Sequence, residues 1–161
     1  VRGFGRLGKL TRTNGQPKEI TMSMYKNLTA TERKSHFRNL VSLAARDGVI
    51  RDEESAVLGY VAGKWKLTDA EIKEVTANPN AITASFPTDR ATCFHQLYDI
   101  VEMMIIDGDV RKVERELCTA LAVKLGFAPD AVNVVIKGIL EGNLKMMDEK
   151  DIHATLMKQL A

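Results

Sequence analysis

Two stretches decide how this chain folds: "RDGVIRDEES", Arg46 to Ser55, and, sixty residues further on, "IDGDVRKVERE", Ile106 to Glu116. Superposed, they align Asp47 with Asp107, Gly48 with Gly108, Ile50 with Val110, Arg51 with Arg111 and Glu54 with Glu114. The match extends without a gap from residues 37–72 onto 97–132, with further identities at Val41, Ala62 and Lys64. Each copy reads as a helix, an acidic turn, a second helix and a short third helix. Neither half can bury its apolar face alone, so the two are expected to pack together about a pseudo-two-fold axis.

The helices announce themselves by their starts and by their apolar spacing. "TATE" at Thr29–Glu32 and "TDAE" at Thr68–Glu71 have capping-box spacing, in which Thr accepts from a backbone N–H and Glu reaches back. Phe37, Leu40, Val41, Leu43 and Ala44 share one face of the first helix. The second begins near Asp52 and carries Ala56, Val57, Tyr60, Val61 and Lys64. "NPN" at 78–80 and "SFP" at 85–87 interrupt the pattern, leaving a linker or a single helical turn between them. Thr88-Asp89 can cap a long helix to Ile106, striped by Leu97, Ile100, Val101 and Met104. A helix from about Lys112 to Leu125 follows, then one opening at Pro129 and closed by "EGN", then a terminal helix capped by Asp148 with Ile152, Leu156 and Leu160 inward. No stretch alternates as a strand. The expectation is an all-α domain of about seven to eight helices: repeat one at 29–77, repeat two at 88–140 and a C-terminal helix at 148–160.

With 161 residues the chain is long enough to bury a core, and 45% apolar against 27% charged residues is ordinary for a globular protein. No apolar run approaches the length of a membrane span, and the start has no signal-peptide pattern, so a cytoplasmic protein is expected. Residues 1–18 carry Arg2, Arg6, Lys9, Arg12 and Lys18 without an acid, so within a net charge of +2 the rest sums to −3. This Gly-rich leader reads as a flexible basic arm over residues 1–28, or as extra residues ahead of a start at Met22 or Met24; nucleic acid is the less favoured partner for it. Cys93 and Cys118 lie inside helices without metal-type spacing and read as buried thiols.

The acidic turn is first tested as an EF-hand loop. Gly48 and Glu54 fit positions six and twelve, but the first and third ligand positions fall on Leu43 and Ala45, or on Met103 and Ile105, which cannot ligate a cation. Half a ligand set survives in each copy: Asp47 and Glu54, then Asp107 and Glu114, with Asp109 a fifth carboxylate. Such oxygens suit Ca²⁺, Mg²⁺ or Mn²⁺ if the turns meet. The alternative is pure helix capping. Gly48 and Gly108 would end helices, Ile50 or Val110 would give the accompanying apolar contact, and Glu54 and Glu114 would favour the next helix dipole by about 0.3–1 kcal/mol each.

The paired "LVSLAARDGVIRDEES" and "VEMMIIDGDVRKVERE", each a helix running into DG-x-[IV]-x-x-x-E, resemble the TerB-like tellurite-resistance family over roughly residues 28–140. That resemblance implies an all-α fold of two similar halves, a link to tellurite resistance and stress responses, and a divalent cation at the turn residues Asp47, Glu54, Asp107 and Glu114. Val49 departs from the pattern, standing where Asp109 does in the second copy. The expected function is a non-enzymatic stress-response protein that binds a divalent cation (Ca, Mg, Mn or Zn) and acts through protein partners, the membrane surface and homo-oligomers included. The alternative is a metal-free adaptor with an apolar helical groove. His36, His95 and His153 read as surface or cap histidines, with His95 one turn before Asp99; Trp65 reads as a half-buried anchor, and Met146-Met147 as an exposed linker contact. No nucleophile stands against a His-Asp pair, and no phosphate-cradling loop, HExxH or paired CxxC occurs.

Overall fold

The computed structural model describes residues 28–45, 48–106 and 108–161. The basic arm therefore lies outside the described residues, apart from Leu28, and so do Arg46, Asp47 and Asp107. Among the described residues the chain is all-helical: α1 (Ala30–Ala44), α2 (Asp52–Lys64), α3 (Asp69–Ala77), a 3-10 turn (Pro79–Ala81), α4 (Arg90–Ile105), α5 (Lys112–Lys124), α6 (Ala131–Leu144) and α7 (Glu149–Gln159). The duplication is written into these bounds, since α2 and α5 begin and end sixty residues apart.

Local chemistry sets the starts. At α1 the Thr29 hydroxyl accepts from Glu32 N–H at 3.2 Å while the Glu32 carboxylate accepts from Thr29 N–H at 2.7 Å. Thr68 and Glu71 repeat the exchange at α3, at 3.2 and 2.8 Å. Asp89 caps α4 by accepting from Thr92 N–H at 2.8 Å. Asp148 stands at the N-cap of α7 but makes no side-chain capping bond.

The ends of α2, α5 and α6 share one device. Lys66, Gly126 and Met146 take φ of 55°, 84° and 55°. The following N–H of Leu67, Phe127 and Met147 then reaches back to the carbonyl of Ala62, Ala122 and Gly142, at 2.9 Å each time. α6 departs from expectation at both ends. Pro129 lies in the turn before it, and "EGN" does not close it, because the helix runs on to Leu144. Gly142 serves close packing instead, since a Cβ there would lie 2.5 Å from Ile152 of α7, and one at Gly138 would lie 2.4 Å from Leu156.

α4 is the central rod. Every residue from Thr92 to Ile105 is buried, as expected for a helix covered all round. α1 makes its most extensive packing against α4, with α5 and α6 on other sides of it and α7 laid on α6. The linker is fastened to α1, where Ser35 Oγ donates to Ser85 O at 2.9 Å and accepts from Ser85 N–H at 2.7 Å. Cys93 and Cys118 are buried free thiols.

Candidate functional site

The twin turns are built alike. Gly48 and Gly108 adopt φ of 85° and 79°, which only glycine takes without strain. Glu54 Oε2 accepts from Arg51 N–H at 2.8 Å, and Glu114 Oε2 accepts from Arg111 N–H at 3.2 Å. Both glutamates are buried, so each carboxylate binds the backbone at the start of its own helix. Arg51 approaches Glu54 at 3.9 Å, whereas Arg111 lies 3.5 Å from Asp109, whose side chain is 72% exposed. Asp47 and Asp107 lie outside the described residues, and with them the shared five-carboxylate cluster. Among the described residues no group of three or more His, Cys, Asp or Glu side chains is placed to hold a metal ion.

Ile50 and Val110 do not bury themselves as cap contacts. They are 41% and 36% exposed, and Val49 and Val113 beside them are 62% and 47% exposed. Each turn thus keeps its glutamate in and its aliphatic side chains out.

A second polar centre has almost no signature in the sequence. Asp99, on α4, is fully enclosed and accepts three hydrogen bonds: from Lys64 Nζ at 2.8 Å, from Trp65 Nε1–H at 2.7 Å and from His36 Nε2–H at 3.0 Å. Because a carboxylate only accepts, His36 must carry its proton on Nε2, leaving buried Nδ1 without a hydrogen-bond partner among the described residues. Burial alone would raise the Asp99 pKa, but the Lys64 charge and the His36 bond outweigh it and hold the carboxyl well below its usual range. The three donors come from repeat one and the acceptor from repeat two, so Asp99 joins the halves.

Around this centre lie Tyr60, Tyr98, His95, His153, Glu102 and Glu149. Tyr60 Oη donates to Glu149 Oε2 at 3.2 Å, and Lys64 Nζ stands 3.9 Å from Glu149 Oε1. The His153 ring packs 4.0 Å from that of Tyr98 and 4.9 Å from that of His95, centroid to centroid. The surface assignment of the histidines is therefore corrected: His36, His95 and His153 are all buried, and so is Trp65, at 0% exposure. Their rings pack against aromatic neighbours, and His36 is hydrogen-bonded to a carboxylate from a distant segment. The one cue in the sequence is Lys64 on an otherwise apolar helix face. Comparison of the chain with models of protein families, with curated proteins and with solved structures gives no match.

Proposed function

We propose that this is a non-enzymatic helical protein of the TerB-like, stress-response kind, which acts by binding a protein partner through its two turns. One observation carries the reading. The equivalent residues Ile50 and Val110 leave 41% and 36% of their surface in water at joints whose glutamates are buried on backbone N–H groups. A turn that needed only to be stable would bury these side chains as its cap contact. Apolar side chains exposed together, Val49 with Ile50 and Val110 with Val113, are what a partner surface uses. A binding role also accords with the enclosure of the His36–Asp99 pair, whose carboxylate is saturated by three donors and out of reach of a substrate.

The test is quantitative cross-linking of the full chain in cells. Ile50→Ser with Val110→Ser should abolish the cross-links that the wild type forms, while Glu54→Gln with Glu114→Gln keeps them. Equal cross-linking by wild type and the serine variant would defeat the reading.

Divalent-cation binding is the second reading, favoured by the exposed carboxylate of Asp109. It rests on Asp109 with Asp47 and Asp107, since ligation by Glu54 or Glu114 competes with the bond each makes to an arginine N–H. Calorimetry of chelator-treated protein with Ca²⁺, Mg²⁺, Mn²⁺ and Zn²⁺ decides it, and the absence of heat at millimolar concentrations would remove it.

A further inference from the structure

α6 carries more apolar surface than its neighbours cover. Apart from Asn133, Lys137, Glu141 and Asn143, every residue of Ala131–Leu144 is aliphatic or glycine. A helix that is apolar nearly all round belongs inside a protein. Yet only one side of it is inside: Ala131, Val132, Val135, Ile139 and Gly142 are buried, where α4, α5 and α7 pack on it. Val134, Ile136 and Leu140 are half-buried, and Leu144 is 85% exposed. Met146, just past the helix, is 76% exposed, and no large apolar side chain among the described residues stands further into water than these two.

Beside this ridge runs a groove of about 260 Å³ between α6 and α7. Val134, Gly138 and Gly142 line it along α6, and Ile152 and Leu156 along α7. Lys137 and Glu141 also border it, 3.8 Å apart, with side chains 76% and 51% exposed. Asn133, one turn earlier on the same strip, is taken up within the molecule by Arg115 at 2.6 Å and Asp130 at 2.8 Å. The outward charge of α6 is therefore one cation and one anion.

That charge selects the occupant. A two-fold contact brings each residue of one copy against a residue of the other and the reverse, so it needs a patch that complements itself. α6 is such a patch. Laid antiparallel on a second copy in a register centred on position 139, it sets Lys137 of each copy opposite Glu141 of the other, two pairs of opposite sign. The same register sets Leu144 opposite Val134, at the far end of the other copy's groove. A partner of uniform charge meets one like charge here whichever way it lies.

We infer that this chain forms a two-fold dimer through the outer faces of α6 and α7, in which Leu144 of each copy enters the α6–α7 groove of the other. Apolar burial supplies the affinity, and the exposed ion pairs set register and orientation, since such pairs contribute little energy of their own. Neither turn belongs to this face, so the dimer is independent of a partner bound there.

Sedimentation velocity of the full chain over about 10–500 μM tests this, a range that registers contacts of micromolar strength. The wild type should shift from monomer to dimer. Lys137→Glu and Glu141→Lys each turn both cross-pairs into like charges, and either alone should weaken the dimer roughly tenfold or more. Mixed in equal amounts, the two variants should dimerise again, because every pair across the axis is then of opposite sign. Leu144→Ser with Met146→Ser, both largely in water in the single chain, should lose the dimer too. A wild type that stays monomeric at every concentration, variants that dimerise as the wild type does, or a mixture no more dimeric than its components would overturn the inference.

Discussion

Asp99 is the residue on which the two halves most depend. Its three donors saturate it as a set, and loss of Lys64 or of Asp99 itself leaves the other's charge enclosed without its direct counter-charge. Lys64→Met and Asp99→Asn should each lower the unfolding free energy by about 3–5 kcal/mol, measured by urea denaturation. The two together should cost less than the sum of the singles, because the partners are in direct contact. At the turns the stakes are smaller. Glu54→Ala or Glu114→Ala removes one capping acceptor and should cost about 1 kcal/mol, seen in the same assay. Local chemistry of this kind is legible in the sequence: Thr29 with Glu32 and Thr68 with Glu71 do what their spacing implies. The Asp99 partners are not legible. His36 and Asp99 are 63 positions apart, and no helical periodicity reports which faces of two helices will meet. Local pattern assigns the histidines to the surface for the same reason, since their neighbours come from other helices.

At the scale of elements, the recurring joint after α2, α5 and α6 offers a comparison within one molecule. Gly126 fills the left-handed position after α5, while Lys66 and Met146 carry a Cβ into the same conformation, at φ 55° each. Lys66→Gly should therefore raise stability by about 1 kcal/mol, measured as the denaturation midpoint, with no change in its slope. Contact between α6 and α7 sets the opposite expectation. Alanine is favoured over glycine inside a helix by about 1 kcal/mol. Yet Gly138→Ala, whose Cβ would lie within 3.0 Å of three Leu156 side-chain atoms, should lower the melting temperature through overpacking. Adding Leu156→Val should recover part of that loss. Here the sequence misleads in an instructive way. The glycine of "EGN" reads as a helix stop when only neighbours along the chain are considered, but Gly142 is there because Ile152 needs the space. A close approach and a terminus leave the same letter, and only packing separates them.

The whole molecule is a duplicated helical body with its charge buried at the seam, and its response to pH follows from that. Burial lowers the His95 and His153 pKa values to about 4 and about 3, from 6.5. The unfolded chain therefore binds protons that the folded one refuses, and stability falls as pH drops below 6.5. Glu102 works in the other direction, with stability lost as pH climbs from 4.5 to about 8. Two histidines outweigh one glutamate where the windows overlap, so the melting temperature should peak near pH 6.5 and decline on both sides. Glu102→Gln should flatten the alkaline side and steepen the acid side between about pH 4.5 and 6.5. The all-helical class, the duplication and the sixty-residue register are legible from Asp47 to Glu114, because repeated local signals reinforce one another. Function is less so, since the same carboxylates serve a cap or a cation.

The most direct measurement is therefore a melting-temperature titration of chelator-treated protein with Ca²⁺, Mg²⁺, Mn²⁺ and Zn²⁺, run beside Glu54→Gln with Glu114→Gln. If the turn glutamates are backbone caps, the glutamine variant, whose amide oxygen still accepts the arginine N–H, melts close to the wild type and answers millimolar cation as the wild type does. A cation-dependent rise in the wild type that disappears in the variant would contradict the capping role and make the glutamates ligands.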